Sequence, residues 1–379
     1  MRVMIVVTHL LGTGHLSRAL TLGRAFAAAG HVVRVVSGGM PAGQLNAGGV
    51  EFVQLPPLRS DGVDFSRLLT TTGAVADEGF LSDRTAALID AFSDFAPDVL
   101  MTELFPFGRR SLRAEFLALL EAGRASSPRP LVLCSIRDIL APPSKPAKVD
   151  ETDRIIGMYY DAVLVHSDPV ATPLEVSWPV SPELAGKLRY TGYVAPPPAV
   201  AGTAGAGAGE ILVSAGGGAV GQPIFHAAIE TARKMTGRRW RLLVGGADAS
   251  ARVTELQSLA HGAPIIVENA RPDFRAMLQN AAASVSMCGY NTALDLMQAG
   301  TPAVLIPFDD GKEVEQGLRA RALAPLPGFA VIESSKLTAE TLSQALISVM
   351  DAPARDTTAL RFDGAAETVR LVERMAADR

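Results

Sequence analysis

Three short stretches carry residues whose types and spacing suit chemistry. The first, "THLLGTGHLSRAL", sets Gly12 and Gly14 in a turn just before His15, Ser17 and Arg18. Glycines let a backbone turn tightly and approach a ligand. A helix starting there offers free N–H groups and partial positive charge to an anion. His15, in that first turn, is able to take a proton near neutral pH. The second stretch, "SAGGGAVG", puts Gly216, Gly217 and Gly218 between a strand and a helix. Three successive glycines are entropically costly for a plain turn, and a backbone loop around phosphate oxygens explains them better. The third, "MCGYNTALD", breaks a buried strand at Gly289 and Tyr290 and opens a helix that Asn291 and Thr292 are placed to cap. Capping explains neither Gly289 nor Asp295, one turn on, which could accept hydrogen bonds from two ribose hydroxyls while the helix mouth faces a diphosphate. Asp309, Asp310, Glu313, Glu315 and Gln316 follow the next strand, a cluster of acceptors suited to sugar hydroxyls.

The elements that must position these residues show in the periodicity. Short, continuously apolar runs such as "RVMIVV", "HVVRVVS", "DVLMTE" and "PLVLCSIRD" alternate with helical patterns at residues 15–29 and 108–124. The alternation stops at "APPPAVAGTAGAGAG", residues 195–209, which can build neither period, and restarts with "EILVSA". Such alternation predicts parallel sheets covered on both faces: two doubly wound α/β units, residues 1–194 and 210–356, facing across a cleft. Ligands of these sheets bind beyond the carboxyl ends of the strands, where all three stretches fall.

Bulk properties remove several classes. A formal net charge of −4 gives no reason to expect a nucleic-acid partner. Cys134 and Cys288 sit in apolar runs and read as buried thiols, and no Cys/His cluster suggests zinc. The start lacks the pattern of a secretory signal and no run reaches about 18 apolar residues, so a cytoplasmic protein, in contact with a membrane surface at most, is expected. The first turn has serine where a dinucleotide fingerprint has its third glycine, and the second strand ends "RVVSGG" without the ribose-binding acid.

"GTGHLSRAL", "SAGGGAVG" and "CGYNTALDLMQAGTPAVLIPF…EQGLRARAL" together resemble GT-B glycosyltransferases of family 28. That group includes enzymes acting on the lipid-linked peptidoglycan precursor; "DVLMTELFPFGRR" and "CSIRDIL" are more similar to a related branch of predicted bacterial glycosyltransferases. The resemblance implies two Rossmann-like domains, an N-terminal one for the acceptor and a C-terminal one for the nucleotide sugar, with residues 357–379 returning to the first. It implies that Gly12, Gly14 and His15 lie near the reacting centre and that Gly216 to Gly218 line the cleft. Gly289, Asn291 and Thr292 would meet the diphosphate. Asp295 stands where the family usually has a ribose-binding Glu. Glu315 and Gln316 match a donor-sugar pair that is two Gln in the relative, so a sugar other than N-acetylglucosamine is expected.

The implied reaction is an inverting displacement without a bound metal or cofactor; the substrate is a nucleotide sugar, UDP-linked by expectation. The acceptor is a small molecule or a lipid-linked one, with peripheral contact at the inner membrane face. His15 is the favoured base, with Glu103 and Asp138 as rivals because each follows a strand on the same edge. Arg18, Arg109, Arg110 and Arg137 could orient an anionic acceptor, though for the last three a solvated charge or structural ion pair serves equally. Residues 56–82 are read as an acceptor-facing surface or an ordinary insertion. "GTGHLSR" also resembles the start of nucleotide-sugar hydrolases of this architecture, where water is the acceptor, and a nucleotide-sugar-binding protein without catalysis is a third reading.

Overall fold

A computed structural model describes residues 1–60, 67–200, 205–215, 221–246, 248–309 and 313–379. Gly216, Gly217, Gly218 and Asp310 lie outside the described residues. The chain forms two compact units, one of Met1–Pro169, Pro173–Val194 and Asp363–Arg379, the other of Val170–Thr172 and Ala195–Phe362.

The first unit is built on an eight-stranded sheet. Its strands are β1 (Arg2–Val7), β2 (Val32–Gly39), β3 (Glu51–Ser60), β4 (Leu68–Leu69), β5 (Val99–Glu103), β6 (Leu131–Arg137), β7 (Ala162–His166) and β8 (Leu188–Tyr190). They lie in the order β4-β3-β2-β1-β5-β6-β7-β8, parallel throughout except the short β4, which runs antiparallel to β3. Side chains alternate between faces of a strand. Accordingly Val3, Ile5 and Val7 of β1 enter one buried cluster with Leu16 and Phe26, while Met4 and Val6 enter the other with Leu88 and Phe92. A strand buried on both sides must be apolar at every position, which is why "VMIVV" shows no alternation.

Part of the expected 56–82 surface belongs to regular elements: residues 56–60 continue β3, and a helix, Glu78–Phe95, starts after Asp77, whose side chain accepts from Phe80 N at 2.8 Å. Leu88, Phe92 and Phe95 of that helix are buried, each stabilising the unit by roughly 1.5–3 kcal/mol. The last helix, Gly364–Ala377, packs in the first unit through buried Val369 and Val372. Its entry is close: Gly364 N donates to Tyr193 O at 3.0 Å, and a Cβ on Gly364 would lie 2.3 Å from Gly192 O. Residues 357–362, expected to move with this helix, stay with the second unit.

The second unit carries six parallel strands, β9 (Ile211–Ser214), β10 (Trp240–Val244), β11 (Ile265–Asn269), β12 (Ala283–Ser286), β13 (Ala303–Leu305) and β14 (Phe329–Val331), ordered β11-β10-β9-β12-β13-β14. Strand order reverses between β1 and β5 in the first unit and between β9 and β12 in the second. In doubly wound sheets that reversal opens a crevice at the carboxyl ends of the two strands, the usual place for a ligand.

Candidate active site

In the first unit the reversal point brings together residues far apart in sequence. The turn after β1 passes through Gly12, whose φ of +62° favours glycine, into the helix Gly14–Ala28. Thr13 at its N-cap makes no side-chain cap bond. A Cβ on Gly14 would meet no described atom within 4 Å. His15 then points its ring at Glu103, the last residue of β5: Nδ1 lies 2.9 Å from Oε1. Arg18, one turn along the helix, is bonded to the same oxygen. Ser135 Oγ, on β6, donates to Glu103 Oε2 at 2.6 Å and lies 3.0 Å from His166 Nε2, at the end of β7; His166 Nδ1 is 2.8 Å from Thr191 Oγ1.

Burial sets the protonation of this group. Glu103 is 1% exposed, and burial, the largest single influence, pushes its pKa up; Arg18, His15 and Ser135 together outweigh burial and hold the carboxyl well below the usual range. His15 is lowered to about 4, chiefly by desolvation; Glu103 acts against that shift, and Arg18 and Arg109 add to it. His166 is lowered to about 3 by burial. Both imidazoles are therefore neutral near pH 7 and Glu103 is ionised. His15 Nδ1 lies 2.9 Å from Glu103 Oε1, which can only accept, and 3.2 Å from Arg18 Nη2, which can only donate; the shorter contact, to the carboxylate, assigns the proton to Nδ1 and leaves the Nε2 lone pair free to accept.

These shifts predict a pH dependence of stability. Between pH 6.5 and about 4 the unfolded chain protonates both histidines while the folded unit does not. Stability therefore rises with pH in that window and falls as the solution is acidified through it. Denaturant unfolding at pH 5 instead of 7 is expected to show a loss of about 2 kcal/mol for each histidine, and His166→Gln should abolish its share. A flat stability between those pH values would contradict the assigned burial.

The structure corrects two roles and redistributes others. Arg18 does not face an acceptor: it is buried and committed to Glu103, because a buried carboxylate needs a cation. Glu103 is the partner of His15 instead of a rival base. Asp138, just past β6, is buried. Arg109 joins the group: its Nε donates to Thr8 O at the end of β1, and burial lowers its pKa to about 10, so it stays charged. Arg137 Nε donates to Ile139 O at 3.1 Å, and its charge acts on Arg109. Arg110 lies instead over the Trp178 ring at 5.7 Å; burial lowers its pKa, and the Glu151 charge acts against that shift. Ser135 and His166 escaped the sequence reading; their one signal was a polar residue inside otherwise apolar strands.

In the second unit β12 leads through Cys288 into the helix Tyr290–Ala299. Its N-cap is Gly289 with no side-chain cap bond, so Asn291 and Thr292 do not cap it; they fall inside the first turn, where the backbone is already helical. A Cβ on Gly289 would meet no described atom within 4 Å, and its φ of −64° suits any residue. Buried Arg319, a further unpredicted participant, donates to Cys288 O at 3.1 Å and sits 5.7 Å from the Tyr290 ring, fixing this turn.

The expectation for Asp295 is corrected too. Its Oδ1 accepts from Arg275 Nε at 2.7 Å, and the same guanidinium donates to Gln298 Oε1 at 2.9 Å and to Pro197 O at 2.8 Å. A half-buried carboxylate has taken an internal cation, and Asp295 anchors chain residues instead of presenting both oxygens to a ribose. Further along, Glu313 accepts from Glu315 N at 2.7 Å, Gln316 Oε1 accepts from Phe308 N at 3.2 Å, and Asp309, exposed, is bonded to Ser334 Oγ. Cys134 and Cys288 are buried and are not joined in a disulfide. Among the described residues there is no cluster of His, Cys, Asp and Glu fit to hold a metal, and no helix long and apolar enough to cross a membrane.

Residues 212–370 match the glycosyltransferase family 28 C-terminal domain. The chain is 29% identical over 181 residues to the UDP-N-acetylglucosamine--N-acetylmuramyl-(pentapeptide) pyrophosphoryl-undecaprenol N-acetylglucosamine transferase of Rhodospirillum centenum, covering 46% of this chain and 45% of that one. To the protein of the same name from Desulforamulus reducens it is 32% identical over 143 residues, 36% and 38% of the two chains. The chain thus spans less than half the length of these relatives. Two solved structures share its fold over nearly all their length: MurG of Acinetobacter baumannii, TM-score 0.66 at 15% identity, covering 99% of this chain and 100% of the other, and the kitacinnamycin glycosyltransferase, 0.67 at 18%, covering 99% of each. The chain therefore carries a match to the glycosyltransferase family 28 C-terminal domain over residues 212–370 and has the two-unit fold of these solved structures.

Proposed function

We propose that the chain transfers a sugar from a nucleoside diphosphate sugar to an acceptor hydroxyl, with inversion at the anomeric carbon. Donor binding belongs to the second unit and proton removal to the first. The observation that carries this reading is the His15–Glu103 pair at the reversal point of the first sheet, in a chain whose second unit carries the family 28 match. Two glycines add support. Gly14 and Gly289 each stand at a helix start where neither φ nor a neighbouring described atom demands glycine, which suits close approach of a ligand to the backbone.

In the proposed step His15 Nε2 takes the acceptor proton as the acceptor oxygen bonds to the anomeric carbon. The bond from that carbon to the diphosphate breaks, and the nucleoside diphosphate leaves with the electron pair. N–H groups at the start of the Tyr290–Ala299 helix, with Asn291 and Thr292, stabilise the charge growing on the departing phosphate. No metal is assigned a part, and turnover should persist in chelator. The donor is taken as UDP-linked, as the relatives' names print for those proteins. Glu315 beside Gln316 favours a sugar other than N-acetylglucosamine, since an acceptor-only side chain selects different hydroxyls. A small or lipid-linked acceptor fits equally, the latter with the protein at the inner face of the membrane.

The test is a thermal-shift and turnover screen of UDP-, GDP- and dTDP-sugars. One nucleotide class should raise the melting temperature by a few degrees at saturating concentration, because it binds only the folded state. Absence of a shift with every class would sink the proposal. Rapid release of free sugar without an acceptor would replace the transferase with a hydrolase.

A further inference from the structure

The hydrogen bonds behind Glu103 run in one direction. Because the carboxylate can only accept, Ser135 Oγ–H must point to Oε2. Ser135 then has only lone pairs left for His166, which must donate from Nε2. That leaves His166 Nδ1 as an acceptor, 2.8 Å from the Thr191 hydroxyl, whose one proton is shared between this nitrogen and Gly192 O at 2.9 Å. The chain crosses β5, β6 and β7 and ends beyond β8, and Ser135 and His166 are both 0% exposed. Nothing in proton removal at His15 uses these residues directly.

Resting on the proposed role of His15, we infer that Ser135 and His166 are positioning residues: they hold the second oxygen of Glu103 so that the first stays shared between His15 and Arg18. The physical need is specific. A guanidinium beside a carboxylate favours a two-pronged pairing that engages both oxygens. In this structure Arg18 Nη2 bonds Oε1 and lies 3.2 Å from His15 Nδ1, while Oε2 accepts from Ser135. Without Ser135, Glu103 turns both oxygens to Arg18 and His15 loses the acceptor that keeps its proton on Nδ1. The charged and titratable groups around the pair are accounted for: Arg18 and Arg109 act on His15, Arg18 and Glu103 on His166, and Cys134, whose thiol burial pushes up, neighbours Glu103 as a neutral group.

The experiment is nitrogen-15 NMR of imidazole-labelled full-length protein at pH 7.5, which distinguishes the two neutral tautomers. Wild type is expected to show opposite forms, Nδ1–H at His15 and Nε2–H at His166. Ser135→Ala should move His15 toward the Nε2–H form and lower kcat about tenfold on the nucleotide sugar found in the screen. Its KM should stay within about twofold, since no donor contact changes. His166→Leu should shift His15 in the same direction by less, and His166→Gln, which keeps an N–H for Ser135, should restore the wild-type spectrum. An Nε2–H form at His15 in the wild type overturns the inference without any variant. So does a His15 signal unmoved by both Ser135→Ala and His166→Leu. A tautomer shift with unchanged kcat would leave this arrangement standing and remove His15 from the chemistry instead.

Discussion

His15→Ala is expected to lower kcat/KM for sugar transfer by about 10²–10⁴-fold, the range supplied by a positioned general base. Binding of the nucleotide sugar, measured as thermal stabilisation, should be unchanged, because the donor is assigned to the other unit. His15 is suited to the role by its tautomer: Nδ1–H is directed at Glu103 Oε1 at 2.9 Å, so the Nε2 lone pair is the one left for an acceptor. Its low pKa, about 4, makes it a weak base in the resting protein but keeps it unprotonated. As a proton arrives, the adjacent Glu103 carboxylate stabilises the imidazolium, the part an acidic partner plays in hydrolytic triads. The sign of the pH dependence follows. The neutral ring is the active form, so the rate should hold from pH 8 down to about 5 and fall only as pH drops through about 4. A loss smaller than tenfold in His15→Ala, at unchanged donor binding, would eliminate the histidine as the base.

Substitution of Glu103 should separate catalysis from stability. Glu103→Gln keeps the shape of the side chain but brings an amide able to donate toward His15, so the ring is free to turn its lone pair inward. Loss of activity on the order of 10³–10⁴-fold is expected, as when the tautomer of a catalytic histidine is reversed in an otherwise intact triad. Because His15 and Glu103 act as one unit, the double variant His15→Ala/Glu103→Gln should be little worse than either single one. Glu103→Ala adds a second effect. It strips the counter-charge from Arg18, 6% exposed, and the acceptor from the hydroxyl of Ser135. Removing one partner of a buried ion pair destabilises by about 3–5 kcal/mol, and denaturant unfolding should show that loss in the first unit. If Glu103→Ala unfolded at the wild-type midpoint, the Arg18–Glu103 pair would not be the buried contact described above.

Local chemistry in the sequence determined a good deal. Apolar runs in β1, β5, β6 and β7 are continuous because both faces are covered, and that alone reveals parallel sheets and their carboxyl ends. His15 and Glu103 were recognisable as candidates because each stands just beyond, or at the end of, such a run. Glycine at positions 12 and 289 marked the turns into the helices. These are short-range signals, carried by a few neighbouring residues, and they survive without knowledge of the partner strands. The helix Glu78–Phe95 was not recognised because its apolar residues, spread among charged and small ones, give a weaker period than the buried strands do.

What the tertiary structure alone decided was which side chains meet. Glu103 lies 88 residues from His15 and 85 from Arg18, and only the adjacency of β5 to β1 makes it the partner of both. The same adjacency turned Arg18 from a possible ligand contact into a buried counter-ion, and the pairing of β6 with β5 and with β7 brought Ser135 and His166, unremarkable within their strands, into a single hydrogen-bonded line. Asp295 was likewise captured by Arg275, 20 residues earlier in the chain. Strand ends are a property of local sequence, whereas strand order and the pairing of buried charges depend on the whole chain. A charge removed from water must find its opposite wherever the fold has put it.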